Sequence, residues 1–399
     1  MLAYLDHAAT SPPRPEAAEA MIPWLTDLFG NPSGSHGVAR RARRAVEDAR
    51  GSLAEILGAD PGEVVFTGGG TESDLLAVRG VIEARRRSGR PPGVVVTSAI
   101  EHAALRAAAA GAGVPVREVP AGRDGLVDLE ALAEALDPEV SVVSVMLVNN
   151  EVGTIQPLAA AADLVHRRAP DAVLHTDAVQ ALEWLDLASA AGCADLVSVS
   201  AHKWGGPQGV GALVVRDGVA LAAVVAGGGQ ERERRGGTHN VAGIVGAAAA
   251  ARAADSGRAV ASVAVGARRD RLVAGLLASV PGASATVPTG TAIAPGFAHL
   301  CIEGVESEAL LVLLDDAGVC ASAGSACASG ALHASHVLLA MGVPERQALG
   351  SLRLTLGPGT TDAEVDLALG AVPAAVTQLL RGSPDGPVPI STGSAPGAR

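Results

Sequence analysis

Asp195-Leu-Val-Ser-Val-Ser-Ala-His-Lys203 is an apolar, strand-like run that ends on a lysine, with Gly205, Gly206 and Gly209 close behind it. A lysine at the end of a run this apolar is hard to explain as a solvated surface residue. A second run, Ala172-Val-Leu-His-Thr176, delivers Asp177 in the same way. One amine and one carboxylate therefore stand at the ends of two adjacent strand-like segments. That pair suggests pyridoxal phosphate: the amine condenses with its aldehyde, and the carboxylate keeps the pyridine nitrogen protonated so that the ring can act as an electron sink. Either residue alone reads more readily as a surface lysine or a turn aspartate; it is the pair that points to the cofactor.

Outward from this pair, short Val-, Ile- and Leu-rich runs recur between helical segments from about Gly62 to Val225. They are Val64–Thr67, Val94–Thr97, Val142–Val148, Val173–Thr176 and Leu196–Val199. This alternation predicts an α/β fold with a mainly parallel sheet flanked by helices, whose sites collect at the carboxyl ends of the strands. After Gly243 an alanine-rich helical stretch follows, with a break expected at Ser256-Gly257. Beyond Pro281 the runs shorten, including Ala298–Ile302, Glu306–Leu314, Val319–Ser322 and Ser351–Leu356. A large cofactor-binding domain is expected over residues 15–255. A smaller α+β C-terminal domain is expected from residues 256–382 together with the returning segment 1–14. The Pro-, Gly- and Ser-rich residues 383–399 are expected to form a disordered tail.

The 399 residues carry a formal charge of −12, which argues against a polyanion-binding surface and makes direct nucleic-acid contact an unexpected role. The arginine clusters at 40–44 and 85–87 read as solvated helix faces. No apolar run approaches the roughly 20 residues of a spanning helix. Acidic Asp6 near the start does not suit a signal peptide, so a cytoplasmic location is expected. Four cysteines in so long a chain fit a reducing compartment without a disulfide framework.

Further residues on the same rim could carry chemistry. Gly68-Gly-Gly-Thr-Glu-Ser-Asp74 follows one strand and opens a helix. Its glycines allow backbone amides to approach a phosphate, and Thr71 with Asp74 has the pattern of a capping box. His102, after Glu101, can stack on an aromatic ring or exchange protons, and it can equally cap a helix. Asn150, in Asn149-Asn150-Glu151, and Gln180 supply amides that could hold a ring hydroxyl. Arg353 alternates with leucines, and its guanidinium can grip a carboxylate through two hydrogen bonds or face solvent from an edge strand. Cys327 lies among small residues, Ser322-Ala-Gly-Ser-Ala-Cys-Ala-Ser-Gly330, where a thiol is accessible and mobile. Cys193, Cys301 and Cys320 read as buried small hydrophobes. Cys320, Cys327, His333 and His336 are spaced C-x6-C and H-x2-H, unlike a zinc site, so no metal is expected.

With these motifs the chain resembles the NifS/IscS-type cysteine desulfurases of the class V aminotransferase group, fold-type I pyridoxal-phosphate enzymes. The resemblance covers nearly the whole chain. It includes Tyr4-Leu-Asp-His-Ala-Ala-Thr10, Gly30-Asn-Pro-Ser33, Gly70-Thr-Glu-Ser73, Val148-Asn-Asn-Glu-Val-Gly153, Asp177-Ala-Val-Gln180, Ser200-Ala-His-Lys203, Gly227-Gly-Gly-Gln-Glu-Arg232, Gly237-Thr238 and Gly324-Ser-Ala-Cys327. It implies that Lys203 carries the cofactor, Asp177 pairs with its ring nitrogen and His102 stacks on the ring. Gln180 and Asn150 fall near the ring oxygen and the substrate. Gly70, Thr71, Ser200 and His202 hold the phosphate, and Thr238 reaches it from the second subunit of a homodimer.

For the substrate L-cysteine it implies that Arg353 binds the carboxylate and Cys327 takes the sulfur as a persulfide, leaving L-alanine. A sulfur-acceptor protein then receives it, for iron–sulfur clusters, tRNA thiolation or DNA phosphorothioation. Ala323, Ala328 and Pro358 depart from the family pattern around the cysteine segment and the last strand. Two alternatives remain at this point: an aminotransferase or lyase for another amino acid, and a non-catalytic scaffold in a sulfur relay.

Overall fold

The computed structural model describes residues 2–324 and 334–382. The expected tail and Cys327 lie outside the described residues. In chain order the strands are β1 (Ala3–Tyr4), β2 (Val64–Thr67), β3 (Val94–Ser98), β4 (Val116–Val119), β5 (Val140–Ser144), β6 (Val173–Asp177), β7 (Leu196–Ser200), β8 (Gly211–Val215), β9 (Ala283–Ala285), β10 (Phe297–Ile302), β11 (Val319–Cys320) and β12 (Ser351–Thr355). Seven of them form the main sheet in the order β2-β8-β7-β6-β5-β3-β4. Strands β3 to β7 run parallel, and β8 lies antiparallel to both β7 and β2. Strands β2, β3, β5, β7 and β8 are buried along their whole length, as sheets covered on both faces require. The α/β architecture with a parallel sheet and flanking helices is as expected from the alternating pattern.

Two strands of the main sheet escaped the sequence reading. β4 carries Arg117 and Glu118 at the sheet edge, and β8 follows a glycine-rich turn with no helix to announce it. The segment expected as strand through Val148 leaves the sheet after Ser144, because Asn149 Oδ1 accepts the backbone N–H groups of Glu151 and Val152 and turns the chain.

The helix Val241–Ser279 runs for 39 residues without the break expected at Ser256-Gly257. Nothing crowds Gly257, Ser256 Oγ donates to the carbonyl of Arg252, and the helix packs on the helices Pro15–Thr26, Gly37–Ile56 and Asp362–Gly382. That packing outweighs the roughly 1 kcal/mol a helical glycine costs. The boundary expected at 255/256 falls inside this helix.

A smaller antiparallel sheet, β12-β10-β9, follows it, and the N-terminal β1 pairs in parallel with β11. Asp6 continues that return with a bridge to Thr355. Against the expectation of no membrane-length segment, Asp362–Arg381 is long and apolar enough by composition to cross a bilayer. One face of it, Val365, Ala368, Val372 and Val376, is fully buried against the protein core, which accounts for its apolarity.

Backbone approach at one point positions the site. Gly69, at φ 144°, starts the helix Gly70–Arg87, and a Cβ on Gly211 of β8 would lie 2.7 Å from its backbone. Gly211→Ala is therefore expected to destabilise the fold by about 1–3 kcal/mol, as overpacking does, and to weaken cofactor binding at the adjacent turn. Thermal unfolding and cofactor titration of the variant check this.

Candidate active site

The carboxyl ends of β2, β3, β5, β6 and β7 surround a cavity of about 490 Å³ that the small sheet closes from the side with Arg353. It brings together Gly70, Thr71, His102, Asn150, Asp177, Gln180, Ser200, His202, Lys203 and Arg353. Thr238 is exposed and lies away from the cavity of its own chain. Among the described residues no group of three or more His, Cys, Asp or Glu side chains is placed to hold a metal ion; Cys327 and His333 lie outside them.

Lys203 ends a short 3-10 turn after β7, and its Nζ donates to the carbonyls of Ala8 at 2.6 Å and Ala9 at 3.0 Å. The N-terminal segment thus crosses the mouth of the site. Burial, reinforced by the charge of Arg353, lowers the amine from the ordinary 10.5 to about 8, although Asp177 and Asp6 pull the other way. Gln180 Nε2 donates to the same Ala8 carbonyl at 2.8 Å. His202 is lowered to about 4 by burial and then by Lys203, so it is neutral where Nδ1 meets Thr10 Oγ1 at 3.1 Å.

Asp177, at the end of β6, accepts the backbone N–H of Val179 at 2.9 Å. Burial raises its carboxyl, and the nearby His102 and Lys203 lower it. Beneath it lies a second buried acid, Asp74, pushed well above the carboxylate range by burial and then by the charge of Asp177. We therefore take Asp177 as the ionised member and Asp74 as the neutral one. Glu101 is raised to about 8, first by burial, while accepting from Ser98 Oγ and the N–H of Met146, each at 2.7 Å. His175, between Ser144 Oγ at 2.8 Å and Ser198 Oγ at 2.9 Å, is held neutral by burial.

His102 caps the helix Ala103–Ala110: its Nδ1 accepts the N–H of Ala104 at 3.1 Å, which leaves the Nε2–H side of the ring for the cavity. The cap and the ring-stacking readings are compatible. The expected capping box at Thr71 and Asp74 does not form. The helix starts earlier, at Gly70, without a side-chain cap, and Asp74 is buried instead. The uncapped first turn leaves N–H groups and the positive end of the helix facing the cavity, as a phosphate requires.

Arg353 is buried on β12, not solvent-facing. Nη2 donates to Asp6 Oδ1 at 2.7 Å and Nη1 to the carbonyl of Asn150 at 2.8 Å, while Nε has no partner among the described residues. Asn150 Oδ1 is a second buried polar atom left without one. Sequence reasoning missed Asp6 and Asp74, although both lie in motifs that it quoted; neither motif shows that its acid is buried against the site. Of the cysteines expected to be buried, only Cys301 is; Cys193 and Cys320 are half-buried.

The donor set fits a cofactor with an aldehyde, a protonated ring nitrogen and a phosphate: an amine of depressed basicity, a buried carboxylate lacking a full counter-charge, and an uncapped helix turn. Fold and cavity define a fold-type I pyridoxal-phosphate enzyme. The model of the aminotransferase class-V family matches residues 3–368. An IscS-like cysteine desulfurase of Mycobacterium tuberculosis is 44% identical, covering 95% of this chain and 98% of its own. A cysteine desulfurase of Cereibacter sphaeroides is 43% identical over 96% and 98%. Among solved structures, a NifS-like protein superposes with TM-score 0.88 at 34% identity over 95% of this chain and 100% of its own. DndA from Streptomyces lividans does so with TM-score 0.74 at 38% identity over 89% and 100%. The chain belongs to the aminotransferase class-V family and, within it, to the pyridoxal-phosphate-dependent cysteine desulfurases.

Because only the neutral amine condenses with an aldehyde, capture of pyridoxal phosphate by the cofactor-free enzyme should level off above about pH 8. Rapid-mixing absorbance over pH measures this, and a midpoint near the ordinary 10.5 would contradict the depressed amine.

Proposed function

We propose that the enzyme converts L-cysteine to L-alanine with Cys327 as sulfur acceptor, the described side chains acting from the positions above. The observation that carries the proposal is the meeting of Lys203, Asp177 and Arg353 around one cavity. Lys203 Nζ, Asp177, His102 and Gln180 would hold the aldehyde, nitrogen, face and oxygen of the cofactor ring. Gly70, Thr71, Ser200 and His202 would hold its phosphate, with Thr238 supplied by a second copy of the chain. When bound, the cofactor supplies an electron sink for the bond-breaking at the substrate.

Arg353 takes the α-carboxylate of cysteine, aided by Asn150. Asp6 and the Asn150 carbonyl already orient the guanidinium, so little rotamer freedom is lost on binding. Lys203 Nζ, its basicity lowered to about 8, accepts the α-proton in its neutral form. In the net transfer the Cβ–S bond of the substrate breaks and an S–S bond to Cys327 forms. The substrate carbon is reduced to the methyl group of alanine, and the Cys327 sulfur is oxidised to a persulfide. L-Cysteine and one thiol thus become L-alanine and one hydropersulfide, with all atoms conserved.

The few cysteines fit a cytoplasmic enzyme, and the hydropersulfide needs a partner that accepts sulfur. The acidic balance of the chain favours a protein acceptor, which would pass sulfur to iron–sulfur clusters, to tRNA or to DNA phosphorothioation. The exposed apolar side chains Ile22, Leu25 and Phe29, beside the glycine turn at Gly30, support assembly as a homodimer. The cysteine desulfurase relatives disfavour an aminotransferase for another amino acid, and the amine, acid and guanidinium all in place disfavour a non-catalytic scaffold.

Cys327→Ala is expected to abolish alanine and persulfide formation while the cofactor absorbance remains. Arg353→Lys, which keeps the charge but loses the planar fork, should raise KM for cysteine by about tenfold or more with a smaller effect on kcat. Alanine release and persulfide labelling at saturating cysteine test both. Unchanged turnover in Cys327→Ala would favour the aminotransferase alternative.

A further inference from the structure

Glu231, Arg232 and Glu233 stand in succession at φ 47°, 57° and 65°, a left-handed stretch that L-residues other than glycine rarely adopt. Such strain persists only where surrounding contacts over-determine it. Here the contacts converge on one carboxylate. Glu231, with its side chain 2% exposed, accepts from Arg50 Nη1 and Nη2, each at 2.7 Å, from His239 Nε2 at 2.6 Å and from the backbone N–H of Phe66 at 2.8 Å. Arg50 is itself buried, donates to the carbonyl of Val64 at 2.7 Å and lies 4.7 Å over the ring of Phe66. The strained turn is therefore bolted to β2, the strand that leads into the phosphate-facing helix.

The rest of the loop is held as firmly. Gln230 Oε1 accepts from the N–H groups of Gly228 and Gly237, both at 3.1 Å, drawing the ends of the loop together. Arg235 reaches Glu72, in the first turn of the phosphate-facing helix, at 2.8 Å. All of this rigidity serves a segment whose far end, Gly237-Thr238, is exposed and touches nothing in the cavity of its own chain. The motif Gly227-Gly-Gly-Gln-Glu-Arg232 lines no part of the cavity of its own chain.

We propose that the Arg50–Glu231–His239 cluster is a positioning device for Thr238: it locks residues 227–240 in the one strained conformation that carries the Thr238 hydroxyl to the cofactor phosphate held by a second copy of the chain. This rests on the homodimer reading given above. The cluster touches neither substrate nor cofactor, and its effect passes entirely through the loop. A staple serving only the fold would lower stability without being coupled to Thr238.

The test is a double-mutant cycle on cofactor affinity. Pyridoxal-phosphate dissociation constants are measured by equilibrium dialysis for the wild type, Glu231→Gln, Thr238→Ala and the double variant, with sedimentation to follow the assembly. Each single change is expected to raise the constant about tenfold, and the double variant is expected to exceed neither single by more than a small factor. A wild-type constant in Glu231→Gln, or single effects that multiply in the double variant, would overturn the proposal. If Thr238→Ala alone leaves affinity intact, or the protein sediments as a monomer, the reading of Thr238 across two subunits fails, and the positioning role fails with it for that separate reason. Should Glu231→Gln not fold, Arg50→Lys, which keeps the charge but loses the bidentate fork, enters the same cycle with the same expected non-additivity.

Discussion

A half-buried lysine amine, desolvated enough to lose basicity, is the constraint on which the rest of this structure depends. An ammonium in a low-dielectric site is unfavourable unless it is paired or neutral. The fold answers by crossing the site with its own N-terminal segment, whose Ala8 and Ala9 carbonyls accept from Lys203 Nζ. That crossing explains why β1 and Asp6 return to the small sheet, and why the large sheet alone does not complete the cavity. The depressed basicity of the amine, the electrostatic pressure from Arg353 and the counter-pull of Asp6 and Asp177 are all parts of the same balance.

The acids around that amine show how environment divides identical chemistry. Asp177, Asp74 and Glu101 are all buried, yet only Asp177 sits where Lys203 and His102 oppose the cost of its charge. Neutral neighbours such as His175, satisfied by two serine hydroxyls, keep the floor of the cavity from competing for protons. Across the cavity, Arg353 has the reverse problem, a permanent cation inside the protein, and Asp6 meets it. The guanidinium is thereby fixed in one orientation by Asp6 and the Asn150 carbonyl.

Much of this was legible before the fold was known. Lys203 and Asp177 end apolar runs, and in a parallel sheet such ends share a rim, so their meeting follows from strand spacing alone. His102, Asn150 and the glycine turn before Thr71 were found by the same reasoning. The failures have separate causes. The capping box was misread because Gly69 can adopt a backbone conformation that starts the helix early and leaves Asp74 to be buried. The break expected at Gly257 did not appear, because packing against three helices overrides the propensity of one exposed glycine. β4 and β8 were not read: one is a polar edge strand, and the other follows a glycine-rich turn with no intervening helix.

By itself, the sequence determined the α/β alternation, the residue types that reach the rim and the family to which they belong, since these depend on periodicity and local spacing. Only the tertiary structure decided that Asp6 neutralises Arg353, that Ala8 and Ala9 hold Lys203, that Asp74 lies beneath Asp177, and that Arg50 and His239 close on Glu231. Each of those pairings joins residues far apart in the chain, and each draws its strength from burial. Desolvation, unlike hydrogen-bonding capacity, is a property of the packed molecule and is written in no single segment.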